Sequence, residues 1–333
     1  MQHTRIGSVL AAGLAAALAL PAVAVAQDKA AGASLLMTTG TPTGSWFPTG
    51  AAIAELTNSQ YSDNPIDVVV GAGSVGNIMN VAADNSDMGL SYGAFLKLAQ
   101  EGGNEVNPGE PMPDLRAVMS LIPYVLHVIA AEGTDANDFR DLASEKPEIN
   151  IGTGVTGATE HFGLGLVLQE YGASLDEIDE WGGSVTQTQT AGRSDGWKNR
   201  QFDWVSFMGT VPANNYFELL EVRPSKLISF DDDVRQALVD KYGFAQYDVA
   251  AGTYPNQDEE WRALGFPMVL FTTTDVDEDV VYEMTKQVAE NQERMLKATA
   301  AFEAWKPEDM PTALGIELHP GAARYYRERG WIE

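Results

Sequence analysis

Short apolar runs bounded by turn residues recur along the chain: SLLMTT, IDVVV, DMGL, LRAVMS, VLHVIA, EINIG, DWVSFM, KLISF and MVLFTT. Runs of this length with such flanks predict β-strands. A helical period appears between several of them. Val75, Ile78, Met79 and Ala82 are spaced i, i+3, i+4, i+7, and Leu164, Val167, Leu168 and Tyr171 repeat that spacing. Strands alternating with amphipathic helices predict an α/β sheet architecture. No internal repeat or low-complexity linker interrupts the alternation. The stretch EGGNEVNPGEPMPD at 101–114 reads as a long surface loop, because apolar strands resume directly after it.

The first residues break the pattern. Arg5, an apolar stretch from Ile6 to Leu20, Pro21 and the small residues AVAVAQ have the order of a secretory signal peptide, with cleavage after Ala26 at Ala24-Val25-Ala26. A membrane anchor is the alternative, but the stretch is Ala-rich and shorter than the roughly 20 apolar residues a spanning helix needs. No cysteine follows to carry a lipid. Removing 26 of 333 residues leaves 307, a length that suits two lobes better than one core. With no cysteine anywhere, neither disulfides nor thiolate-bound metal can hold the structure. The formal charge of −26 makes nucleic acid and anionic lipid poor partners. An anionic ligand would need attraction from local groups against that overall field.

Three strand-to-helix junctions share one character. TTGTPTGSWFPTG precedes the first helical pattern, with Trp46 and Phe47 set among small residues. In VVVGAGSVGNIMNVAA, Gly71, Gly73 and Gly76 surround Ser74, and in INIGTGVTGATEHF, Gly152, Gly154 and Gly157 precede another helix. Glycines let backbone amides approach a ligand, and a helix start offers unpaired N–H groups and partial positive charge. Such junctions bind carboxylate or phosphate even on an acidic protein. In open α/β sheets they gather beyond the carboxyl ends of the strands.

Two motifs offer other chemistries. GTGVTG at 152–157 has the dinucleotide spacing, but SLDEIDEW, which should supply an acid ending a strand, has no clear strand pattern. GLSYG at 89–93 has the G-x-S-x-G form of a nucleophile elbow, and His319 follows in the order of a serine hydrolase. Against a secreted serine hydrolase stand the early position of Ser91 and the lack of a preceding oxyanion segment. His127, alternating within an apolar run, reads as a core or strand-edge histidine, and His161 lies at a helix start beside Glu160. The histidines have no metal-ligand spacing, so neither metal nor cofactor is expected.

Several segments together resemble the TAXI-type solute receptors, the extracytoplasmic binding proteins of TRAP transporters. They are TTGTPTGSWFPTGAAIAEL, GAGSVGNIMNVAADNSDMGLSYG, IGTGVTGATE, TTTDVDEDVVYEMTKQVAEN and the closing GIELHPGAARYYRERGWI. The last is the most specific, with Leu318, His319, Pro320, Gly321, Ala322, Tyr325, Tyr326, Glu328 and Gly330 in order. It also gives His319 a structural place at a helix start. The resemblance implies a bilobal type II periplasmic-binding-protein fold, two α/β lobes joined by a hinge, with a ligand between them. It implies a periplasmic receptor, not an enzyme, for a small organic anion or amino acid: a dicarboxylic acid, a 2-oxo acid or a glutamate-like molecule. The partners would be membrane subunits driven by an ion gradient. An ABC-type receptor of similar fold remains the alternative. Trp46 and Phe47 stand where the family more often has Tyr or another aromatic, and the Trp-rich 181–215 segment matches poorly in its middle.

On this reading, lobe I comprises residues 27–124 and 268–333, and lobe II residues 125–267, with crossings near LIPYVLHVIA and FPMVLFTT. Thr41, Thr43, Gly44 and Ser45 are expected to engage polar ligand atoms, with Trp46 and Phe47 as an apolar wall. Ser74, Asn77 and Ser91 extend the set in lobe I. Thr153, Gly154, Thr156, Gly157, Thr159 and Gly209 face them from lobe II, where Arg193 or Lys198 could clamp a carboxylate. Each Ser or Thr has a competing role as a helix cap, and Trp46 has one in the core.

Overall fold

The computed structural model describes residues 34–42, 44–63 and 65–333. The expected signal peptide and Thr43 lie outside the described residues. The strands are β1 (Leu35–Thr38), β2 (Ile66–Val69), β3 (Met88–Tyr92), β4 (Leu115–Ala131), β5 (Asn150–Thr153), β6 (Ser184–Gln187), β7 (Trp204–Gly209), β8 (Ser225–Leu227), β9 (Ala245–Val249) and β10 (Trp261–Thr273). They form one curled sheet of order β2-β1-β3-β10-β4-β7-β5-β6, with β8 against β4 and β9 against β10.

The long antiparallel pair β4 and β10 is the spine of the molecule. Before the crossing, β10 pairs with β3 from Met268↔Tyr92 to Thr272↔Met88. Beyond it, β4 pairs with β7 from Val125↔Gly209 to Ala130↔Trp204, and β9 pairs with β10 from Trp261 to Gly265. Pro123 stands opposite Pro267 where the two sets meet, and the register shifts just after, between Pro267 and Val269. Proline carries no N–H, so the ladder lacks donors on both strands at this point. The sheet therefore has two halves joined through two chain crossings.

Each half has its own packing. In the first, α1 (Trp46–Asn58) and the helix Glu278–Glu290 cover Met37, Met88, Leu90 and Met268. The C-terminal helix Pro320–Arg329 locks on through Tyr326, whose hydroxyl donates to the Val118 carbonyl at 2.8 Å. His319 caps that helix: Nδ1 accepts from Gly321 N–H and Nε2 lies 3.0 Å from the Val276 carbonyl. Two more helices lead from the strands of this half, α2 (Gly73–Ala82) and α3 (Gly93–Glu101). In the second half Trp197, Trp204 and Phe207 are fully buried, so two of the three tryptophans of the Trp-rich segment belong to the core, while Trp181 is half-buried.

The expected strands LRAVMS and VLHVIA are one continuous strand of 17 residues. The linking residues Leu121 and Ile122 are buried, and the strand runs on through the gap in the ladder where Pro123 faces Pro267. The strand β6 was not expected: SVTQ is polar and half exposed, as an edge strand should be.

His127 lies fully buried on β4 in a single hydrogen-bonded chain. Ala213 N–H donates to the Tyr254 hydroxyl, Tyr254 lies 2.7 Å from His127 Nε2, and Nδ1 lies 2.9 Å from the Val125 carbonyl. The Val125 carbonyl requires the proton on Nδ1, and with Nε2 accepting from the Tyr254 hydroxyl a neutral imidazole satisfies all three contacts. Burial pushes its pKa down from 6.5 to about 3. The unfolded chain therefore binds the extra proton first, and the stability this group contributes above pH 6.5 is lost as pH falls toward 3. Between pH 6.5 and 4.5 the wild type should lose up to about 1.4 kcal/mol per pH unit relative to His127→Gln, read as the difference between two urea-denaturation series. Parallel pH profiles would refute this.

Candidate ligand cleft

Three helices begin at the same place. The turn before α1 closes through Gly44 N–H to the Thr41 carbonyl at 3.0 Å. Gly73 opens α2 in a left-handed conformation, φ 87°, and Gly157 does the same, φ 86°, just ahead of the helix Thr159–Glu170. Both positions favour glycine because a Cβ would clash with its own backbone. The three helices have 13, 10 and 12 residues, and neither α1 nor α2 has an acid in its first turn. A cavity of about 280 Å³ lies at their starts. Gly40, Thr41, Gly44, Ser45 and Trp46 line it from the first junction, and Gly71, Gly73 and Ser74 from the second. Tyr124 and Thr159 complete it. Ser74 and Thr159, from opposite halves of the sheet, place their hydroxyls 3.2 Å apart.

An aromatic cluster backs the cavity. Trp46 meets Tyr92 edge-on with ring centroids 5.1 Å apart, and Tyr124 lies 5.9 Å from Tyr92. Phe266 closes the group from β10 at 5.8 Å from Tyr92. Tyr124 reaches the Ser45 hydroxyl from the crossing strand. Burial raises the phenol of Tyr124 and raises that of Tyr92 well above the usual range, so both stay neutral. The site thus offers hydroxyls, main-chain N–H groups and an apolar wall, with positive potential supplied by helix ends.

The sequence candidates fall into three groups. Thr41, Gly44, Ser45, Trp46, Ser74 and Thr159 line the cavity. Asn77, Ser91 and Thr153 are fully buried and bonded internally. Asn77 Oδ1 accepts from the Thr38 hydroxyl and Ala72 N–H, and Nδ2 donates to the carbonyls of Thr39 and Leu90. Ser91 donates to the Ser74 carbonyl at 3.0 Å, and Thr153 lies 2.8 Å from the Ser206 hydroxyl. These three hold the junctions in shape. The remainder sit around the rim or behind it. Thr156 and Gly157 are exposed, with Thr156 donating to Gln187 Oε1, and Phe47 is half-buried outside the lining. Glu160 overhangs Gly154, so that a Cβ there would meet Oε1 at 2.7 Å, and Gly209 packs on Tyr216. Arg193 is buried against Glu160, while Lys198 pairs with the exposed Glu218.

Tyr124 is the main residue the sequence reading missed. Its signal was available: a hydroxyl-bearing aromatic inside the expected crossing LIPYVLHVIA. The alternative chemistries find no assembled site among the described residues. Ser91 sits inside β3 rather than on an exposed turn, and both ring nitrogens of His319 are engaged. SLDEIDEW forms the helix Leu175–Glu180, so no strand presents a ribose-binding acid there. No group of three potential metal ligands occurs among the described residues, and no helix among them is long and apolar enough to cross a membrane. A larger cavity of about 370 Å³ lies further along the helix Thr159–Glu170, against α3, and its lining includes the acids Glu105 and Asp176 beside His161.

The structure is similar to that of a TctC solute binding protein from Polaromonas, with a TM-score of 0.51 at 13% identity over 89% of this chain and 97% of that one. It also matches the periplasmic aliphatic sulphonate binding protein SsuA from Escherichia coli, with a TM-score of 0.49 at 14% identity over 89% and 83% of the two chains. At such identities the TctC match shows a shared fold, the bilobal α/β architecture of periplasmic binding proteins. Residues 37–330, nearly the whole described chain, match a single family, and the protein belongs to the NMT1-like family.

Proposed function

We propose that the chain is a TAXI-type extracytoplasmic receptor of a TRAP transporter, exported by the N-terminal signal peptide and working in the periplasm. It binds a small carboxylate between lobe I (27–124 and 268–333) and lobe II (125–267) and hands it to membrane subunits without catalysing a reaction. The observation that carries this reading is the convergence of three helix N-termini from both halves of the sheet on one cavity. That arrangement concentrates main-chain donors and partial positive charge where a formal charge of −26 would otherwise repel an anion. Ser74 and Thr159 already join the two halves at 3.2 Å; bending at Pro123 and Pro267 would part them to admit the ligand and re-form the contact over it, away from water.

A thermal-shift screen tests it, with dicarboxylates, 2-oxo acids, amino acids and alkyl sulphonates as the panel. At a hundredfold excess over Kd, a carboxylate ligand should add about 2.7 kcal/mol of stability, a rise of roughly 5 °C. A panel in which no acid shifts the melting point, or in which only sulphonates do, would remove the carboxylate reading.

A further inference from the structure

Behind the cavity lies a buried cation that is incompletely bound. Arg193 has 2% of its side chain exposed, and its guanidinium lies 5.0 Å from the face of Phe207. Nη1 donates to the Thr188 carbonyl, and Nη2 donates to Thr190 Oγ1 and to Glu160 Oε1. Nε is buried with no hydrogen-bond partner. A guanidinium binds carboxylate best through two parallel bonds, yet the contact with Glu160 runs through Oε1 alone. A buried donor left unpaired is costly, and Arg193 carries one next to the carboxylate of Glu160.

Glu160 is placed to move. It follows Thr159, which lines the cavity, in the first turn of its helix, where the helix end favours a carboxylate. Its neighbour Thr159 touches Ser74 of the first half, while its own carboxylate is held by Arg193 of the second. We propose that Glu160 is a resident stand-in for an acid group of the ligand. Its carboxylate holds Arg193 until a ligand carboxylate exchanges with it, takes the Nε and Nη2 edge, and releases Glu160 toward the cleft. The helix starts would then hold a second anionic group, which makes the preferred ligand a diacid. The inference rests on the reading of the cleft as an anion site and deepens it.

The test uses acetate as the probe, so it does not depend on finding the physiological ligand. Glu160→Ala should melt about 5–10 °C below wild type, since it strands a buried cation. Added acetate should restore several degrees of that loss in a saturable way, while chloride at equal ionic strength should not. Glu160→Ala combined with Arg193→Met should show no acetate response. Should Glu160→Ala not fold, Glu160→Gln replaces it, and acetate should then raise its melting point by several degrees more than it raises that of wild type. Equal responses to acetate and chloride, or a response that survives loss of Arg193, would overturn the stand-in. Rescue by acetate with no acid bound by wild type would sink the receptor reading while leaving the subsite intact.

Discussion

Ser74→Asp should lower affinity for whichever acid the screen selects by a hundredfold or more, while leaving the fold intact. Ser74 lies in the first turn of α2 with 5% of its surface exposed, lines the cavity and touches Thr159. A carboxylate in the first turn of a helix is favourable by about 0.3–1 kcal/mol, so the helix tolerates it. The new charge would sit where the ligand's charge must sit. Two like charges about 4 Å apart near a protein surface repel by roughly 4 kcal/mol, which is about a thousandfold in affinity. Isothermal titration should show that loss for Ser74→Asp, and a much smaller one for Ser74→Asn. Affinity within threefold of wild type for the Asp variant would mean that the ligand does not bind at the helix starts.

Asn77→Asp should be the most damaging isosteric change in the first half, with an expected loss of about 3–5 kcal/mol. The amide nitrogen donates to two main-chain carbonyls, Thr39 at 2.6 Å and Leu90 at 2.7 Å. Aspartate has the same shape but at most one proton to give. Ionised, it would set a buried negative charge against two carbonyl oxygens; protonated, it would satisfy one of them. Burial would raise the carboxyl's pKa in the folded state, so the folded variant binds the extra proton more tightly than the unfolded one. The variant should then regain stability as pH falls, the opposite of the His127 contribution. Urea denaturation at several pH values reads both effects. A loss below 1 kcal/mol would show that the two donated bonds are dispensable.

The architecture was readable because its strands are short apolar runs and its helices are periodic, although α2 buries Ser74, Asn77, Ile78 and Val81 and leaves Ala82 of the expected stripe exposed. The junction glycines were also readable, since Gly73 and Gly157 stand where a left-handed turn starts a helix. Residue types alone could not separate cavity-lining hydroxyls from internal ones. Ser74 and Ser91 are chemically alike, yet one lines the cavity and the other is bonded beneath it. That difference is set by strand pairing across the sheet, which no local window contains. Arg193 posed the same problem. The sequence offers it as a ligand clamp, and its depth follows from packing on Phe207, whose strand lies next to β4.

The chain order of the spine has a consequence for how the molecule assembles. β10 lies between β3 and β4, yet it comes from residues 261–273, some 170 positions after β3. A nascent or threading chain that has reached residue 131 therefore holds β3 and β4 with the strand between them still missing, both edges bare. Such late, distant pairing makes for slow maturation and a sticky intermediate.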